Sequence, residues 1–347
     1  MPVERSIVVG MISRPDAKRA RKSFVIPVVV FLAVLVLKPS AGQTPRTVST
    51  AEFERWMSEL SNWGRWGKDD ELGAINLITP AKRQAAARLV REGVSVSLAR
   101  DTETLAAADN PRPIVHQMLA HAQTPNATSH SDSFTIAHHG LAHTHLDALC
   151  HYFYKDRMYN GFARSEVTEK GAGRLSVERM KGGIFTRGIL VDIPRLKGVP
   201  YLEPGTPIYP EDLEAWEKFA RVKVAPGDAL LVRTGRWARR AAKGPWPAAD
   251  PWAGLHASCA RWLRARDVAV LGSDSAGEVR PTGVEGMRGP VHTLVLVTLG
   301  VPILDNCDLE ALGNAAQQRK RWEFLLTAAP LAAPGATGSA LNPMAVF

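Results

Sequence analysis

The 347-residue chain is 45% apolar and 22% charged, an ordinary globular balance with enough length for one large domain or two. Its formal charge of +9 would suit a polyanion, but residues 1–42 hold seven Lys/Arg against Glu4 and Asp16. The remainder carries 36 basic and 32 acidic residues, which leaves no demand for nucleic acid as a partner. Three cysteines, Cys150, Cys259 and Cys307, allow one disulfide at most and exclude a disulfide scaffold.

The N-terminus reads as an export signal. The basic stretch "RPDAKRARKS" precedes "FVIPVVVFLAVLVL", fourteen residues from Phe24 to Leu37, and the small residues Ser40 to Gly42 follow. The apolar run falls short of the roughly 20 residues that a membrane span needs. Pro27 and the lack of an A-x-A site leave an uncleaved N-terminal anchor as the alternative. In the first case residues 1–42 are a signal peptide, the mature protein has no stable membrane span, and the body is periplasmic or secreted.

Beyond that segment no repeat or low-complexity tract occurs, and no linker divides the body, so residues 43–347 read as one domain. Ser49-x-x-Glu52 is a capping box that opens a helix through "FERWMSEL". Thr79 as N-cap, Pro80 at the first helical position and Gly93 bracket "AKRQAAARLVRE" as a second helix. Apolar runs then alternate with helical patterns: "GGIFTRGILVDI", "PEDLEAWEKFARV", "GDALLVRTG", "LHASCARWLRAR", "VAVLGSD" and "GVPILDN". That alternation predicts an α/β fold whose buried strands are continuously apolar.

Eight of the ten histidines fall between His116 and His151, and "AHTHLDALCHY" places His143, His145 and His151 around Asp147. Alternate side chains of a strand share a face. If residues 139–147 are extended, His139, His143, His145 and Asp147 project together, while Ala142, Thr144 and Leu146 face a core. Imidazole and carboxylate suit Zn²⁺ or Mn²⁺ without any cysteine. A polar turn rich in histidine is the alternative.

"HTHLDALCHY" is similar to the H-x-G-T-H-x-D-x-P-x-H signature of the cyclase-like metal-dependent hydrolases, the group containing bacterial kynurenine formamidase and isatin hydrolase. "NWGRWGKDDELGAINLITP", "GDALLVRTGRW", "VAVLGSDSAGEV" and "VHTLVLVTLGVPILDNCDLEAL" resemble further landmarks of that family in order, so the likeness spans most of residues 50–347. It implies a compact α/β domain with a central mixed sheet flanked by helices, a divalent metal, a small-molecule substrate and a homodimer or homotetramer. It also implies that His145, Asp147, His292 and Asp305 hold metal, with Asp305 where relatives carry glutamate, and that His151 transfers protons. The signature's first histidine falls on Leu141, its glycine on His143 and its proline on Leu149. Leucine has no lone pair to offer, so His143 is expected to substitute, with His139 in reserve.

Such a site would hydrolyse a small amide, formamide, lactam or lactone bond. A non-catalytic metal- or small-molecule-binding protein of the cell envelope is the alternative, although a binder has no need of His151. Cys150 beside His151 suggests a thiol nucleophile that metal chemistry leaves redundant. The tryptophans of "NWGRWG" fit a substrate pocket or the core, and Asp274 in "GSDS" fits a helix cap or turn residue better than a catalytic role. "GVEGMRGPVH" lacks the strand-to-helix context of a phosphate loop. The export reading predicts a mature N-terminus near Gln43; sequencing protein recovered from the native envelope tests it, and an intact Met1 or Pro2 would rule out cleavage.

Overall fold

The computed structural model describes residues 46–347; the expected signal, residues 1–42, lies outside the described residues. The apolar runs assemble a nine-stranded sheet. Its strands are β1 (Ser95–Ser97), β2 (His145–Asp147), β3 (Ile184–Asp192), β4 (Ala229–Arg233), β5 (Val270–Ser273), β6 (Ile303–Asp305), β7 (Glu323–Ala328), β8 (Gly338–Ala340) and β9 (Met344–Val346). Across the sheet the order is β1-β9-β7-β3-β4-β5-β6-β2-β8. Strands β3 to β6 are parallel, and all other pairings are antiparallel.

The parallel strands are the runs whose sequence is continuously apolar, because helices cover both faces of such strands. Leu190, Val191, Leu230, Leu231, Val270, Leu271, Ile303 and Leu304 are each at most 1% exposed. At roughly 1.5–3 kcal/mol for each fully buried side chain, this strip is the main anchor of the sheet. The helices Pro210–Ala220 and Cys259–Ala265 form where the sequence predicts them. None of the described helices is long and apolar enough to cross a membrane.

The Ser49 hydroxyl accepts the amide of Glu52 at 3.2 Å and opens Thr50–Glu59. Thr79 accepts the amide of Lys82 in the same way, but this helix ends at Ala87 rather than near Gly93. Tertiary bonding overrides the local pattern there, since the amides of Glu92 and Gly93 donate to the carbonyl of Phe347 at 3.1 and 2.9 Å.

The expected extended run 139–147 is also shortened. Only His145–Asp147 is strand; Gly140, at φ 145°, breaks the extension, and residues 140–143 bend. The parity that put His139 and His143 on one face therefore does not hold. All three cysteines are buried and free.

Asp274, 0% exposed, does serve as a cap. Its carboxylate accepts the amides of Thr234, Gly235 and Arg236 and the Thr234 hydroxyl at 2.8–3.2 Å, at the start of the helix Arg236–Lys243. Asp274→Ala strands these buried donors and should destabilise the protein by about 3 kcal/mol or more in denaturant unfolding. A loss below about 1 kcal/mol would show that the cap is dispensable.

Candidate metal centre

The site lies where β6 and β2 meet. Their antiparallel register sets Asp305 opposite His145 and Ile303 opposite Asp147. Within three-residue β2 the side chains of His145 and Asp147 share a face, and pairing brings Asp305 to the same face. Asp305 is the last residue of β6, at the carboxyl end of the parallel strands, where open α/β sheets hold their ligands.

Two groups of potential ligands share Asp147. His145, Asp147 and Asp305 are buried and place one ligand atom each within 4.8 Å of one another; His139, Asp147 and His151 do the same. The Nε2 of His145 lies 3.4 Å from Asp147 Oδ1, and the Nδ1 of His139 lies 2.9 Å from that oxygen. His151 Nε2 approaches Asp147 Oδ2 at 3.7 Å, and its ring stacks on His139 with centroids 3.8 Å apart. His292 adds a third side, with Nε2 3.7 Å from Asp147 Oδ2 and 3.3 Å from Asp305 Oδ2. Its Nδ1 lies 3.2 Å from the buried carboxylate of Glu278, whose other oxygen accepts the amide of Val291 at 3.0 Å.

Orientation matters more than these separations. Both oxygens of Asp147, Oδ1 of Asp305 and Nδ1 of His139 are buried without a hydrogen-bond partner. Atoms that approach one another closely with lone pairs unused are arranged for a shared cation. The His145 Nδ1–H donates to the carbonyl of His143 at 2.8 Å, which fixes the ring and turns Nε2 toward the carboxylates. Nitrogen and carboxylate donors with no thiolate suit Mn²⁺ or Zn²⁺. The residues therefore fit a divalent metal.

Electrostatics agree with this arrangement. Burial drives the Asp147 carboxyl up, but His151, His139 and His145 outweigh it and hold it well below the usual range. Burial opposes charge on His292, yet Glu278 and Asp305 raise it well above an ordinary imidazole. Burial pulls His151 down to about 4, against the pull of Asp147, so its ring is neutral near pH 7. Burial also pushes the Cys150 thiol up to about 12, which leaves no thiolate for nucleophilic attack.

Of the expected ligands, His145, Asp147, His292 and Asp305 converge, and His151 lies beside them. His143 belongs to neither ligand group; the bend at 140–143 turns its ring instead to the wall of a cavity of about 740 Å³. His139, held in reserve by the sequence, occupies the place beside Asp147. Leu141 is buried and contributes only its carbonyl, which accepts from Arg236. Glu278 was missed, although it follows the apolar strand β5 in a stretch with family likeness. Neither Trp63 nor Trp66 lines the cavity: Trp63 is 40% exposed and Trp66 packs against the core.

The placement reverses the order of ligand importance expected from sequence. His139→Ala should weaken Mn²⁺ or Zn²⁺ binding by roughly 10-fold or more, at least the loss typical of an outer supporting group. His143→Ala should change it by less than about 3-fold. Calorimetric titration of both variants decides this, and a larger loss at His143 would restore the sequence expectation.

A family model described as "Putative cyclase" matches residues 94–277. A crystal structure of a novel cyclase is 34% identical, covering 83% of this chain and 100% of that one, with a TM-score of 0.74. An isatin hydrolase bound to the product analogue thioisatinate is 17% identical over 74% of this chain and 93% of its own, TM-score 0.52. Isatin hydrolase A from Ralstonia solanacearum is 19% identical over 77% and 97%, also with a TM-score of 0.52. These two likenesses bear on the fold. No curated protein matches the chain. On the family match and the 34% identity across the whole of a solved relative, this chain belongs to the cyclase family.

Proposed function

We propose that this protein is a metal-dependent hydrolase that cleaves a small amide, formamide, lactam or lactone bond. One observation carries the reading: Asp147 is shared by two ligand groups, one buried (His145, Asp147, Asp305) and one half-buried (His139, Asp147, His151), and both of its oxygens are buried without a hydrogen-bond partner. His145, Asp147, Asp305 and His292 would hold the ion, with His139 closing the side that Leu141 leaves open. A divalent cation there supplies Lewis acidity, polarising a carbonyl and bringing deprotonation of water into the neutral range.

The chain's own groups do the rest. Asp147 and Asp305 concentrate negative charge that the ion offsets, and the backbone carbonyl of His143 fixes the tautomer of His145. His151, with a free lone pair near neutral pH, can take the proton of the attacking water and return it to the leaving nitrogen or oxygen as the acyl C–N or C–O bond breaks. Cys150, protonated and buried, has no part in this sequence. Export to the periplasm or beyond is part of the proposal, as is a homo-oligomeric assembly. N-formylkynurenine, isatin and simple lactones are the first substrates to test.

Chelation should abolish turnover and added Mn²⁺ or Zn²⁺ should restore it; full turnover by protein shown to be metal-free in elemental analysis would sink the reading. His151→Ala should lower kcat by about 10²–10⁴-fold with metal content unchanged. A variant of normal kcat would reduce His151 to a packing residue, and one that loses metal would make it a ligand.

A further inference from the structure

His292 has carboxylates on both sides of its ring. Nε2 faces Asp147 and Asp305, at 3.7 and 3.3 Å, and Nδ1 lies 3.2 Å from Oε1 of Glu278. Both Nδ1 and that oxygen are buried, and neither has a hydrogen-bond partner elsewhere. Their separation is within reach of an N–H···O bond once the ring turns to align it.

Glu278 is 2% exposed, and among the described residues its only ion-pair partner is His292. A carboxylate taken out of water costs several kcal/mol unless its charge is met. An amide or apolar side chain would avoid that cost, so packing alone does not account for the charge.

The backbone on either side of Glu278 is tied down. The Leu255 amide donates to the Gly277 carbonyl at 2.8 Å, and the Leu255 carbonyl accepts from the Val279 amide at 3.0 Å. A Cβ at Gly254 would lie 2.4 Å from the carbonyl carbon of Glu278, so only glycine allows this approach. The second carboxylate oxygen accepts the amide of Val291 at 3.0 Å, one residue before His292. One side chain thereby holds the backbone at 291 and faces the ring at 292. The Tyr152 ring lies against the same imidazole, with centroids 5.0 Å apart.

His145 shows the same arrangement with a neutral partner. Its Nδ1–H donates to the His143 carbonyl, which leaves the lone pair on Nε2 toward the carboxylates. At His292 the partner is an ionised carboxylate, which accepts and never donates. We infer that Glu278 is a positioning residue: it fixes His292 with its proton on Nδ1 and so presents the Nε2 lone pair to the ion. This deepens the proposed hydrolase and rests on its metal centre, but neither readout below is turnover.

Glu278→Gln separates this role from packing. The Val291 amide needs an acceptor, so the Gln carbonyl oxygen stays with it and the NH₂ group turns to His292 Nδ1. A neutral imidazole must then accept at Nδ1 and keep its proton on Nε2, where the ion would bind. Volume and the Val291 contact are retained, and only the lone pair is lost. Calorimetric titration with Zn²⁺ should show binding about 10- to 100-fold weaker than in the parent, the range of an outer group that orients a ligand. The parent itself supplies a second measurement that does not depend on how the variant folds. Nitrogen-15 spectra of histidine-labelled, Zn²⁺-loaded protein should show His292 with its proton on Nδ1 and the metal on Nε2. Parent-like Zn²⁺ affinity in a folded Glu278→Gln, or metal on Nδ1 of His292, overturns the role of Glu278. Both results as expected, in a protein that turns over no amide, formamide, lactam or lactone, would uphold that role and sink only the hydrolase reading.

Discussion

Two carboxylates that cannot be reached by water govern this site. Asp147 and Asp305 are 1% and 3% exposed, and each buried ion costs several kcal/mol unless its charge is answered. Among the described residues, every ion-pair partner of the two is an imidazole; no lysine or arginine lies within 4 Å. The pKa directions follow from this. The imidazoles around Asp147 hold its carboxyl well below the usual range, and Glu278 and Asp305 raise His292 well above an ordinary imidazole. Imidazole ligands must be deprotonated to bind a metal, so metal affinity at such a cluster rises with pH.

Cohesion of the site depends equally on a buried arginine outside it. Arg236, 3% exposed, donates to Asn306 Oδ1 at 2.7 Å, to Asp109 at 3.3 Å and to the carbonyl of Leu141, while its guanidinium lies 4.0 Å over the Trp237 ring. Asn306 follows Asp305 directly, and its amide donates to the carbonyls of Gly140 and His143. The Thr144 hydroxyl in turn donates to the Asn306 carbonyl at 2.8 Å. One turn after β6 thus fixes both the loop that carries His139 and the carbonyl that orients His145. These bonds tie the candidate ligands of the two segments to one another, as a preorganised site requires.

Much of this was legible in the chain. The parallel strands announced themselves as unbroken apolar runs, because burial on both faces demands that composition, and the Ser49 and Thr79 caps were local signals with local causes. Asp274 was read as a helix cap or turn residue, and it does cap a helix, though one that begins 38 residues earlier in the chain. The shortfalls arose where distant residues overrule local pattern. Gly93 did not end its helix because the Phe347 carbonyl claims that stretch's amides. Strand parity misplaced His139 and His143 because Gly140 bends the loop and Arg236 and Asn306, 95 or more residues away, hold it bent. Periodicity carries no information about such clamps.

The departures from the family signature are therefore not equivalent. Leucine at 141 removes a lone pair, but its backbone is already committed to Arg236, and the imidazole of His139 reaches Asp147 from two residues upstream. That change leaves the donor chemistry of the centre intact. Replacement of glycine by His143 acts on the other side of the same loop, where it adds an imidazole to a cavity wall and subtracts nothing from the metal site. In the proposed hydrolysis the shared carboxylate, a divalent ion and a proton carrier would supply the chemistry, whereas selection of a substrate depends on the surface around them. A loop pinned at its backbone can exchange side chains facing the cavity without disturbing those facing the carboxylates.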